Sequence, residues 1–213
     1  MFEDIREDTS EKFRELNVWL QGIDDQDALS PITKGLFFVY VYGIYEETIR
    51  TVVGRTIDEL NRSEVTMDQC IWELYALILS EQYDGLYGVG NERKWEKRWE
   101  ISRILKDNQK LHIARDIMPT DGRNFRYRQL ESIAKTFGLS EQILPRNELG
   151  GYIQEMVNNR NYIAHGNLLP REVGSSYNLE DLKLRSDSIS ESCMYFIAVY
   201  EKYVSEEKFL RAQ

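Results

Sequence analysis

Asn147–Gly166, NELGGYIQEMVNNRNYIAHG, combines a helical apolar period with a dense polar cluster, and so points to an all-helical chain. Tyr152, Ile153, Met156 and Val157 recur there at helical spacing. Asn147 is a candidate N-cap and Gly166 a suitable stop, so the stretch reads as one helix running to His165. Within it, Asn158, Asn159 and Asn161 place three asparagines in four positions, which is poor helix material and poor core material. Such a cluster suits polar recognition better than packing.

The same 3.6-residue period continues in both directions along the chain. Upstream, a first helix is expected from Phe2 to about Gln21, ended by Gly22. Ser30-Pro31 reads as a capping serine followed by proline at the first helical position, opening a long helix to about Asn61. Its apolar run from Leu36 is rich in β-formers, but the flanks Ile32/Leu36 and Ile44/Thr48/Val52 keep the helical period, so it reads as a buried helix. A third helix fits Met67–Ser80, with Tyr83–Gly90 as a flexible connection. A charged helix from Glu92 to about Gln109 has Trp95, Trp99 and Ile101 on its apolar side. A loop at Met118–Asn124 and a short helix from about Arg126 to Phe137, stopped by Gly138, precede the opening stretch. Downstream, an irregular segment with Pro170 and Gly174 leads to Asn178, a candidate cap for a final long helix. The fold class is all-α, in a single helical domain over residues 1–213 with long antiparallel helices and extra peripheral ones.

Composition narrows the function classes. Cys70 and Cys193 lie in apolar helix-like segments with no metal-ligand or disulfide spacing, so core filling in a reducing compartment is expected. The acidic, amphipathic N-terminus is unlike a signal peptide. The longest apolar run, Leu36–Tyr45, is about half of what crosses a bilayer, so no membrane association and a cytoplasmic location are expected. Net charge is −9, which argues against a nonspecific nucleic-acid coat. The charge is uneven: residues 91–130 hold 11 Lys/Arg against 6 Asp/Glu, net +5, leaving −14 for the remainder. Two readings fit that stretch, a solvated helix laced with ion pairs or a surface that tracks phosphates.

Of the 2 histidines, His112 has no acidic or Cys partner at metal spacing and reads as a surface or core-edge residue. His165 sits at a helix end, where the macrodipole favours a cation, and Gly166 leaves its imidazole uncovered. Arg160 lies five residues earlier, about 140° around an ideal helix. The two side chains share a cleft if the last turn loosens or if a second subunit supplies the opposite wall. RNA cleavage needs a proton moved from the 2′-hydroxyl or to the 5′-oxygen, and an imidazole does either. Charge developing on the phosphate needs a fixed cation, and guanidinium is suited to it. On these residues alone, a polar helix end with a structural Arg and His accounts for the pattern equally well.

The run Arg160–Gly166, R-N-Y-I-A-H-G, resembles the R-x4-6-H signature of the HEPN superfamily. Arg160–Leu182 as a whole looks like the stand-alone MAE-type HEPN nucleases. In those, an RN-x-x-AHG run leads through an E-V-G turn into a Y-x-x-x-D-L helix start. Ile133–Gly138 is similar to their I-A-x-x-(Y/F)-G segment, and Tyr45-Glu46-Glu47-Thr48, more weakly, to an E-x-x-x-R neighbourhood.

The resemblance implies an HEPN-like helical bundle and a homodimer with a composite active-site cleft. It also implies a metal-independent endoribonuclease with no cofactor that cuts an RNA substrate by 2′-hydroxyl attack. The protein would be a toxin or antiviral-defence effector with an antitoxin or activating partner. Arg160 would steady the transition state, His165 would be the general acid/base, and Asn161 and Asn159 would support them. The alternative is a non-catalytic HEPN domain that binds RNA, a nucleotide or a protein partner. A structural dimer module is the third reading. Asn167 stands where partner-modified HEPN toxins carry tyrosine, so modification there is not expected, and the loop Thr120–Phe125 departs from the family's short G-N turn.

Overall fold

The computed structural model describes residues 1–115, 117–120, 124–140 and 142–211. Helices account for 70% of the chain and no strand forms among the described residues, so the fold is all-α. The helices are α1 (Glu3–Gln21), α2 (Ser30–Arg62), α3 (Tyr75–Ile78), α4 (Ser80–Tyr87), α5 (Lys94–Asp107), α6 (Tyr127–Thr136), α7 (Leu149–Ala164), α8 (Pro170–Gly174) and α9 (Leu179–Ser205).

α2 is the central element, with α1, α7, α8 and α9 packed around it. At 33 residues it is about 50 Å long. The run that looks strand-like in sequence is helical: Phe37, Phe38, Val41, Tyr42 and Tyr45 turn inward, while Leu36, Val39 and Tyr40 stay exposed. α1 buries Ile5, Phe13, Leu16 and Leu20 against this frame, and α9 adds Ile189, Cys193, Phe196 and Ile197. One apolar cluster joins residues from Phe2 to Phe209. Its few buried polar groups are mostly paired. Thr48 Oγ1 donates to the Ile44 carbonyl at 2.8 Å and lies 3.2 Å from the Thr9 hydroxyl.

Several boundaries differ from the sequence reading, each for a local reason. Ser30 is the first residue of α2 rather than its cap, and its hydroxyl donates to Asp25 at 3.2 Å. Asn147 does not cap α7, because its side chain accepts from Gln142 at 3.0 Å. The helix expected over Met67–Ser80 is broken into two single 3-10 turns before α3. There, Ile71 N–H donates to the Phe209 carbonyl and Arg211 N–H to the Gln69 carbonyl, both at 2.9 Å. Pairing with the C-terminal tail holds Cys70 extended and interrupts the helix. Most of the supposed connection at Tyr83–Gly90 is instead the second half of α4. Trp95 and Trp99 are exposed rather than on a buried side. Part of the expected Met118–Asn124 loop, Asp121–Arg123, lies outside the described residues. Asn178 caps α9 as expected, its side chain accepting from Asp181 N–H at 2.8 Å.

α8 lies in the segment read as irregular, and two glycines explain its seat on α2. A Cβ on Gly35 would stand 1.9 Å from the Pro170 carbonyl oxygen, and one on Gly174 would stand 1.9 Å from that of Pro31. Only hydrogen fits at both places, so backbone meets backbone. The chain leaving α7 is thereby fixed to α2.

Candidate functional site

α7 ends as its sequence dictates. His165 still donates its N–H to the Asn161 carbonyl at 3.0 Å, a helical bond. Gly166 then takes φ +69°, a left-handed conformation that glycine adopts without strain. Asn167 N–H bonds the Tyr162 carbonyl at 2.8 Å and Gly166 N–H the Ile163 carbonyl at 3.1 Å, which together form a Schellman cap. The last turn therefore does not loosen before His165. The imidazole is exposed and has no hydrogen-bond partner among the described residues.

Arg160 faces the other way, into a half-buried polar niche between α7, α2 and the segment before α6. Nη1 donates to Asn161 Oδ1 at 2.8 Å and to Asn124 Oδ1 at 3.2 Å. Its Cζ lies 4.3 Å from the centre of the Tyr42 ring, a cation–π contact, and Nη2 stands 3.9 Å from Glu46 Oε2. The other Glu46 oxygen accepts from Arg50 Nε at 3.1 Å and Nη2 at 3.0 Å. Two guanidiniums thus share one carboxylate, which leaves a cationic excess in an acidic chain. Burial pushes the Tyr42 hydroxyl above its ordinary value and the Glu46 carboxylate adds to that, with Arg160 opposing. Tyr42 is accordingly a neutral platform under the arginine.

The asparagine cluster divides by helix geometry, because successive residues point about 100° apart. Asn161 accepts from Arg160. Asn159 does not: its amide donates to the Tyr177 hydroxyl at 2.9 Å, which donates to Glu155 at 2.9 Å. Arg185 completes that second network, bonding Glu155 through Nε at 2.8 Å and Nη2 at 3.0 Å. Asn158 accepts from Arg126 at 2.8 Å and ties α7 to the start of α6. Tyr42 and Asn124, absent from the sequence reading of the site, reach Arg160 only through tertiary packing, and no local pattern marks them. Glu46 entered the sequence reading only within Tyr45–Thr48, and Arg50 not at all; neither was read as a partner of Arg160. Among the described residues no group of three or more His, Cys, Asp or Glu is placed to hold a metal ion. No helix among them is long and apolar enough to cross a membrane.

An all-α bundle with an arginine niche on a helix that ends in an exposed His-Gly cap defines the class. The HEPN_MAE_28990-like HEPN family model matches residues 4–209, and the chain belongs to this MAE-type HEPN family. No curated protein and no solved structure matches the chain. Family membership points to a nuclease or other RNA-related role.

Proposed function

We propose that the chain is a metal-independent endoribonuclease of the HEPN type, acting as a toxin or antiviral-defence effector restrained by an antitoxin or released by an activating partner. In this reading the 2′-hydroxyl of RNA loses its proton to an imidazole and its oxygen attacks the adjacent phosphorus. The bond from phosphorus to the 5′-oxygen breaks, and that oxygen takes a proton. The products are a 2′,3′-cyclic phosphate and a 5′-hydroxyl. His165 handles the proton and Arg160 faces the non-bridging oxygens.

The observation that carries this reading is the division of labour within α7: a positioned guanidinium at Arg160, and an uncovered, unpartnered imidazole at the helix end. No hydrogen bond joins the two residues among the described residues, and a homodimer is proposed in which the facing subunit completes the cleft. Exposed apolar residues on α2 and around the motif are candidates for that interface. They are Leu36, Val39 and Tyr40 on α2, with Tyr162, Leu168 and Leu169 beside the motif. The test is cleavage of total cellular RNA by purified protein in EDTA. Wild type should cut and leave cyclic-phosphate ends, while Arg160→Ala and His165→Ala should not. Cleavage that needs a divalent metal, or that survives both changes, contradicts the mechanism.

A specific observation also favours a second reading, a non-catalytic HEPN domain that binds RNA, a nucleotide or a protein. Arg160 already has Asn124, Asn161, Glu46 and the Tyr42 ring as partners, as a structural arginine would. RNA binding without cleavage over a wide substrate set would select it.

A further inference from the structure

α4 and α5 contain no buried residue, and the principal neighbours of α5 are α4 and the turn at Asn91–Arg93 rather than the bundle. Residues 80–107 therefore form a helical arm outside the core. At about 100° per residue, Lys97, Ile101 and Ile104 fall on one side of α5, and all three are part-buried. Trp95, Arg98, Trp99, Ser102, Arg103 and Lys106 fall on the opposite side, and all six are exposed. No carboxylate of α5 lies within that outer face, since Glu96, Glu100 and Asp107 occupy one flank.

Among the described residues this helix makes one ion pair. Lys97 bonds Glu100 at 2.6 Å, and Arg103 and Lys106 have no ion-pair partner among the described residues. Arg98 instead lies 4.8 Å over the Trp95 ring. Trp95 and Trp99 have their ring centres 6.4 Å apart and are 59% and 54% exposed, and Tyr87 at the end of α4 is 91% exposed. Stackable aromatic faces interleaved with unpaired cations match what a flexible polyanion with exposed bases offers.

We propose that the outer face of this arm binds single-stranded RNA. Trp95 and Trp99 stack on bases, and Arg98, Arg103 and Lys106 follow the phosphates. The choice of RNA over DNA rests on the function proposed above, but the arm's chemistry does not depend on Arg160 or His165. The arm would hold substrate at a distance from the cleavage site and favour long, unpaired RNA over short fragments.

The test uses the full chain carrying His165→Ala, so that RNA stays intact, with a fluorescein-labelled unstructured RNA oligonucleotide followed by anisotropy. Added Trp95→Ala/Trp99→Ala should weaken binding about tenfold or more. Added Arg98→Gln/Arg103→Gln/Lys106→Gln should weaken it and flatten its salt dependence. Both variants should melt at the parent temperature, because the changed residues are exposed. Unchanged affinity in both variants overturns the proposal. So does loss of self-association or of acidic-peptide binding in place of RNA binding, which would make the face a protein interface. Cleavage of total cellular RNA in EDTA by the chain with native Arg160 and His165 separates this idea from the proposed function. Arm-dependent binding without that cleavage overturns the nuclease reading alone, and cleavage with arm-independent RNA affinity overturns the arm alone.

Discussion

Arg160 is held by both hydrogen bonds and a ring face, so its replacement by lysine is not conservative. An ammonium cannot keep Asn161 and Asn124 while lying flat on Tyr42. Arg160→Lys is therefore expected to lose about a hundredfold or more of single-turnover cleavage, with little change in urea midpoint. His165→Ala should behave differently from a core change. The side chain is exposed, so stability should move by less than about 0.5 kcal/mol, while cleavage falls roughly 10²- to 10⁴-fold. A large loss of stability would make His165 structural. At this scale the sequence exposes residue types at a helix end, and Arg160, Asn161 and His165 are legible from it. Asn159 was misleading because adjacency in sequence says nothing of direction: one step along the helix turns it toward Tyr177.

Among the elements, the end of α7 and its tether to α2 fix where the motif sits. Gly166→Ala places a side chain at φ +69° and should cost about 1–2 kcal/mol in chemical denaturation. Gly35→Ala should cost more, about 1–3 kcal/mol or beyond, because its Cβ meets the Pro170 backbone and α8 has to shift. If Gly35→Ala matches wild type in urea and in cleavage, the tether is not holding the motif. α1, α6 and α7 were readable because apolar period and a stop glycine agree, whereas α2 and α9 were readable from their period and start signals, their ends turning instead at Glu64 and Glu207 with φ +59° and +50°. The break at Cys70 was not, since its cause is hydrogen bonding to residues near 210. α8 was hidden for a similar reason. Five residues carry too short a period to read, and its stability comes from two glycines that are far apart in sequence.

For the whole molecule, the core makes a pH prediction. Burial raises the hydroxyl pKa values of Tyr45, Tyr200 and Tyr203, and pushes Cys70 up to about 11 and Cys193 up to about 12 from an ordinary 9.0. Groups raised in the folded state contribute stability that is fully present below their unfolded values and is lost as pH rises toward the folded ones. Urea midpoints should therefore hold from pH 7 to about 9 and fall steeply between about 9 and 12. A flat profile across that window would mean that these side chains reach solvent.

Assembly is the other property of this scale. Arg160 points into its own niche and His165 points out, on a helix whose last turn stays regular. Subunit mixing tests whether two chains complete one RNA-cleaving cleft. Purified Arg160→Ala and His165→Ala proteins, each inactive alone, are unfolded together, refolded and assayed on RNA in EDTA. Cleavage is expected to return toward about a quarter of the wild-type rate, because half of randomly paired dimers are mixed and one of their two clefts is intact. If mixed dimers form and the RNA remains uncut, Arg160 and His165 do not act across the subunit boundary.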